Sequence, residues 1–343
     1  MKKMGKMNRL LVIASLLLVC VLAAACVNST PAFAAQSTTL KIGHVEAENR
    51  STHIALVQFK ERVEAESNGN ITVEIYPNAS YGNDAQMVAA VAMGALQMTL
   101  PSTGNMAPYN ERWGIFDVPF LFTSVEAAFN AVDGRIGEYL DALLKGTGTI
   151  SLGYTYNGVR SMSNSIRPIN EPNDCKGLIF RIMDSAVFRV MFQSLGANPT
   201  PIAFSEVYTA LQTGVAEGQE NAASLTYAMR FHEVQKFYSL TEHVFSFLPI
   251  VTSEVWYNGL SAENKAVIDR NIPIMIAEQR EMEVAENERF IQLIADSGVA
   301  VNSITPENHL KFVEAVQPVY VEYIGKWGQE IFDIAEEYNQ TAQ

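Results

Sequence analysis

Residues 198–221 read NPTPIAFSEVYTALQTGVAEGQEN, and the fold reading grows outward from this stretch. Pro199 and Pro201 each push the residue before them out of the helical region, so the stretch starts extended. Ser205 is a candidate N-cap. After it, Val207, Ala210, Leu211 and Val215 recur at helical spacing, and Gly214 can end that helix in a left-handed conformation. Glu217-Gly218-Gln219-Glu220-Asn221 reads as a polar turn that returns Asn221 toward the strand ends.

Upstream, Lys176-Gly177-Leu178-Ile179-Phe180-Arg181 is an apolar strand-like run with an arginine inside it. A buried guanidinium without an anionic partner is costly, so this one calls for a carboxylate. From the residues alone that partner is either a bound solute or an acid of the chain, Glu206 or Glu220.

KGLIFR followed by the 198–221 stretch resembles the signature of DctP-type solute-binding subunits of tripartite ATP-independent periplasmic (TRAP) transporters. The likeness continues in YPNASYGND (76–84), NGVR (157–160) and FHEVQKFYSLTEHV (231–244). Two small departures stand out: Glu217 where the family usually has Asp, and Ala222 where Pro is common.

The resemblance implies an α/β, two-lobed periplasmic-binding-protein fold of type II-like design. Hinge strands and a long C-terminal helix would span both lobes. The expected division is 36–157 plus 247–286 against 158–246 plus 287–343. It also implies lobes that close on a solute, a periplasmic address, and integral membrane subunits as partners.

A length of 343 residues suits about two domains. Lys2, Lys3, Lys6 and Arg9, then the apolar run 10–25, then Ala32-Phe33-Ala34 form an export signal spanning 1–34. Leu22-Ala23-Ala24-Ala25-Cys26 loosely resembles a lipobox, with lipidation at Cys26 the rival reading. The signal carries four cations and no acid, so its removal takes the formal charge from −13 to −17. So acidic a chain does not suit nucleic acid or an anionic membrane surface. Cys175 then stands alone, which excludes an intrachain disulfide.

Strands are predicted at 39–45, 71–76, 96–100, 149–156, 179–183 and 241–251. Helices are predicted at 51–66, 84–93, 125–132 and 186–195, with a long acidic one at 278–296. In the first helix the apolar stripe reads Ile54, Val57, Phe59, Val63. Strand–helix–strand order from residue 39 to 76 implies a parallel unit with a right-handed crossover. Ligand sites in such sheets form at strand carboxyl ends, where Arg160, Arg181 and Asn221 fall.

Arg181 offers a planar fork of donors that matches a carboxylate, and the resemblance makes it the clamp of the solute's acid group. By the same resemblance Arg160 contacts that carboxylate or another polar group; the alternative is a surface arginine at a lobe crossover. Asn221 can donate to a carboxylate and accept from a hydroxyl, or simply form a turn. Asp84 reads equally as a solute contact and as a helix N-cap. Glu46, Ser102 and His44 lie near the same strand ends, His44 also suiting a core position. Val45 and Ser102 depart from the polar residue and the acid that sialic-acid-binding relatives carry. Phe204 is a candidate pocket wall, and Tyr227 a weaker candidate.

No catalytic motif, no phosphate loop and no metal-spaced His/Cys cluster occurs, so no cofactor or metal is expected. The function read is capture of a small organic carboxylate, a sugar acid such as a uronate or a C4-dicarboxylate, by a monomer. Its rivals are a ligand-sensing periplasmic receptor and a sugar-acid-converting enzyme using Asp84 and Glu220.

Overall fold

The computed structural model describes residues 37–342; the expected export signal, its expected cleavage site and Cys26 lie outside them. Strand β1 (Thr38–Gly43), helix α1 (Ser51–Glu66) and strand β2 (Ile71–Tyr76) form the expected parallel unit, paired in register from Thr38↔Ile71 to Gly43↔Tyr76. Helix α1 buries Ala55, Leu56, Phe59 and Val63. The stripe therefore sits slightly to one side of the expected one: Ile54 is on the surface and Ala55–Leu56 face the sheet. Helix α2 (Asp84–Ala92) leads to strand β3, which is only Met98–Thr99.

Two long antiparallel strands cross the molecule. Strand β4 (Thr149–Asn164) pairs with strand β8 (Phe237–Ser253) from Thr149↔Ser253 to Asn164↔Phe237, with irregularities beside Gly158 and Met162. At one end β8 receives β3, and β1 and β2 follow outward. At the other end β4 receives β7 (Gly218–Asn221), then β5 (Ile179–Ile182) and β6 (Asn198–Pro201). Strand β9 (Ala300–Ser303) joins the Phe237 end of β8. The result is two half-sheets sharing β4 and β8, the arrangement of a two-lobed α/β fold. Strand β6 lies at the sheet edge, where the missing N–H groups of Pro199 and Pro201 cost nothing.

The Gly218–Asn221 segment corrects the sequence reading: it is not a turn but a fully buried strand. Its polar side chains all find partners inside. Gln219 Nε2 donates to Ser163 Oγ (2.8 Å), and Glu220 accepts from Arg160. Helix α3 (Val207–Thr213) ends as expected at Gly214, with φ +75. Ser205 is not its cap; it lies within a 3₁₀ turn, Phe204–Glu206. Helix α4 (Ala223–Ala228) follows β7.

The long helix α5 runs from Ala262 to Asp296, 35 residues, about 50 Å at 1.5 Å per residue. It takes in the acidic stretch 278–296, starts at the Ser261 N-cap and accommodates Pro273. It packs on α1, β4 and α4, and so touches both halves. Helix 330–341 returns to residues 121–142: Asn339 Nδ2 donates to Leu121 C=O (3.0 Å) and Arg135 pairs with Glu337. Cys175 ends the 3₁₀ turn Pro172–Cys175 and is buried in the main core, where burial pushes its thiol up to about 12.

Gly158 sits where β4 meets α4 and α5. Its φ is +98, and an added Cβ would lie 2.5 Å from Ala222 Cβ and 3.0 Å from Glu283 Oε1. Gly158→Ala is therefore expected to cost about 2–4 kcal/mol, strain and crowding together. A shift in the urea midpoint measures it, and an unchanged midpoint would refute the close packing at this crossing.

Candidate functional site

Strand β5 alternates: Phe180 and Ile182 enter the core, fully buried, and Arg181 between them faces the other way. That face opens into a cleft of about 360 Å³ lined by Asp84, Asn105, Arg181, Met183 and Phe204 among others. The Arg181 Nε donates to Ile202 C=O (2.9 Å), and its guanidinium stands 5.9 Å from the Phe204 ring centre. Among the described residues no carboxylate oxygen lies within 4 Å of it, so neither Glu206 nor Glu220 is its partner. Burial lowers its pKa to about 10, with Glu220 and Asp84 pulling the other way. It is a buried cation without a carboxylate partner among the described residues, a costly arrangement.

Asp84 lies across the cleft at the first position of α2. It is not the cap: Asn83 is, in a reciprocal capping box with Gln86. Asp84 is freed to face the cavity. Its Oδ2 accepts from Asn105 Nδ2 (2.7 Å), whereas Oδ1 is buried without a partner. Burial, and then the nearby charge of Glu46, raise its pKa to about 7.

The cleft narrows inward to a recess whose walls include Glu46, Ser102, Asn157, Arg160 and Asn221. Arg160 is not a surface residue. It is buried, with Nε on Glu220 Oε2 (2.5 Å) and Nη2 on both Glu220 Oε1 and the Glu220 carbonyl (2.7 Å each). Burial disfavours the Glu220 anion, yet Arg160's charge and hydrogen bonds outweigh it and hold the carboxyl at about 2. Asn221 donates to Gln219 Oε1 and its carbonyl accepts from Tyr238 Oη (3.1 Å).

Beneath the recess lies a second ion network. Arg50 Nη1 donates to both oxygens of Glu283 (3.0 Å each) and to Ser224, Nη2 to Asn157 (3.2 Å), and Nε stands 3.4 Å from Glu46. Ser51 Oγ also donates to Glu283 (2.6 Å). These contacts tie the start of α1, strand β4, helix α4 and the long helix α5 together directly under the cleft.

Of the nine residues singled out from sequence, Arg181, Arg160, Asn221, Asp84, Glu46, Ser102 and Phe204 line this cleft and recess. His44 and Tyr227 do not. His44 is buried behind β1, its Nε2 3.1 Å from His53 Nδ1, and burial takes its pKa down to about 3. Tyr227 stacks on His232 at 4.5 Å and packs near Phe290 in a small cluster under α5. Sequence reasoning missed Asn105 and Asn157 as lining residues. Asn105 closes a turn already noticeable as polar, and Asn157 precedes Gly158 on a strand expected to stop at Tyr156. It missed the Arg50–Glu283 network entirely, since 233 residues separate its two ends.

A two-lobed α/β frame whose cleft presents an unpaired arginine defines a class: receptors that trap a small anion between lobes. The chain belongs to the family described as bacterial extracellular solute-binding protein, family 7 (DctP), which matches residues 42–326. It is 33% identical over 288 residues to the 2,3-diketo-L-gulonate-binding periplasmic protein YiaO of Escherichia coli K12, covering 84% of this chain and 87% of that protein. It is 33% identical over 307 residues to the C4-dicarboxylate-binding periplasmic protein DctP of Shewanella loihica, covering 89% and 91%. Among solved structures it is similar to the sugar acid binding protein DctPAm of Advenella mimigardefordensis in complex with galactonate. That pair has TM-score 0.86 and 31% identity, covering 89% of this chain and 99% of that one. A TRAP periplasmic solute-binding protein of Shewanella oneidensis with bound succinate gives TM-score 0.86 and 32% identity, covering 88% and 99%.

Proposed function

We propose that this protein captures a small organic acid outside the cytoplasm and delivers it to the membrane subunits of a TRAP transporter. The observation that carries this reading is the Arg181 guanidinium, buried in the cleft with no carboxylate of the described residues within 4 Å. The solute's carboxylate takes that place in bidentate geometry, Phe204 flanks it, and Asn221 and Arg160 border its inner side. Sugar acids and C4-dicarboxylates both meet this requirement, and relatives named for each are at similar distance.

Capture is non-covalent. The relatives are binding proteins, and the acids of the site, Asp84 and Glu46, face the cleft as hydrogen-bond acceptors. The lobes, taken as 36–157 with 247–286 and 158–246 with 287–343, close because the solute contacts both and shifts a two-state equilibrium. Closure excludes water and strengthens each charged contact. Export by residues 1–34 and a monomeric state complete the reading, in keeping with the extracellular family.

A thermal-shift screen across uronates, aldonates and C4-dicarboxylates, with mass spectrometry of whatever co-purifies, tests it. At least one acid is expected to raise the melting temperature by several degrees. Stabilisation only by neutral sugars or by cations would overturn the proposal.

A further inference from the structure

Arg181 and Arg160 line the cleft and its recess, Arg50 lies beneath them, and two of the three are already engaged. Arg160 holds Glu220 with two of its nitrogens, and Arg50 holds Glu283 and stands beside Glu46. Among the described residues lining the cleft, Arg181 is the cation left for an incoming anion. It is matched to one carboxylate.

The opposite wall has the reverse character. Asp84 is 7% exposed, and its Oδ1 has no partner although it borders the cavity. Glu46, 3% exposed, lines the adjoining recess with Ser102 and Asn157. Asp84 lines that recess too, so the two acids face the same small volume. An acceptor buried without a donor is costly, and a solute hydroxyl removes that cost. A carboxylate placed there meets two acids in a low-dielectric space, with Arg50 already committed to Glu283.

We infer that the cleft selects a polyhydroxylated acid with a single carboxylate: Arg181 takes the carboxylate, and Asp84 with Glu46 accepts hydroxyl hydrogens and turns away a second carboxylate. This rests on the carboxylate capture proposed above and narrows it. The cavity volume falls within the usual range for small-molecule clefts, about 300–1,000 Å³, at its small end, suited to one open-chain or ring-closed sugar acid.

Gluconate and glucarate isolate the point, because both are open six-carbon chains with the same hydroxyl configuration at C2–C5 and differ only at C6, a hydroxymethyl in one and a second carboxylate in the other. Calorimetry at pH 8, above the Asp84 titration, is expected to show gluconate or galactonate binding at least about thirty-fold more tightly than glucarate and succinate. In Asp84→Asn and Glu46→Gln variants, and most in the pair combined, the sugar acid weakens about ten-fold, the diacids strengthen and the ratio falls toward one. Asp84→Asn keeps the volume and the polar contact with Asn105, so it tests charge rather than packing. Wild-type protein binding succinate or glucarate as tightly as the sugar acids would overturn the selection, as would an unchanged ratio in both variants. A different failure separates the two proposals: if Arg181→Met retains wild-type affinity, or no carboxylate binds at all, carboxylate capture itself falls and the selectivity with it.

Discussion

Arg181→Met is expected to abolish ligand-induced thermal stabilisation while leaving the unliganded protein folded and no less stable. The carboxylate loses two charge-assisted hydrogen bonds worth about 1.5–3 kcal/mol each, a hundred-fold or greater loss of affinity. The unliganded prediction is the more discriminating half. Arg181 is 3% exposed, and burial drags its pKa down to about 10, so its charge opposes folding when the cleft is empty. Methionine fills similar volume without that cost, and the melting temperature of the empty protein should hold or rise. Calorimetry and a melting curve on the same preparation decide it. A variant that binds its acid as tightly as wild type, or that loses several degrees while empty, would show Arg181 to be structural.

Glu220→Gln should do the opposite: destabilise the empty protein by about 3–5 kcal/mol, because it strands Arg160 without its counter-ion in the core. Replacing both, Arg160→Met with Glu220→Leu, should recover most of the loss, since a well-packed apolar pair can stand in for a buried ion pair. The pH dependence has a definite sign. The folded-state pKa of Glu220 is depressed to about 2 from an ordinary 4.5, so its contribution is fully present above about 4.5. It is lost as pH falls through that range toward 2. Wild-type protein should therefore show a steep acid loss of stability that the apolar double variant lacks. Coincident acid profiles for the two proteins would refute a structural role for the pair.

Much of the fold could be read locally. The first strand, helix and second strand carry clean periodicities and pair as expected, Gly214 ends its helix with positive φ, and the two prolines at 199 and 201 sit on an edge strand. Where local rules misled, a long-range partner was responsible. Gly218–Asn221 has the composition of a turn, and it becomes a strand because Arg160, Ser163 and Thr226, from other elements, satisfy Gln219 and Glu220. His44, which suited either a strand-end contact or a core position, takes the core position, with His53 from the first turn of the next helix 3.1 Å from its ring nitrogen. The Asp84 ambiguity was in fact resolvable from sequence. Asn83 and Gln86 have the spacing of a capping box, which leaves Asp84 without a capping duty.

Taken alone, the residues determined the parallel α/β units, the presence of one arginine set into an apolar strand, and seven side chains that share one cleft. Those follow from period, turn chemistry and the cost of burying charge, all of which act over a few residues. Only the folded chain decided which arginine is left unpaired. Arg160, Arg181, Arg50, Glu220, Glu46 and Glu283 could be matched in several ways on paper. Coulomb attraction depends on distance in space rather than in sequence, and strand β7 brings Glu220 to Arg160 while α5 brings Glu283 to Arg50. Arg181 is left facing the cavity, and that geometry, set by packing between halves of the sheet, is what the proposed capture of an acid rests on.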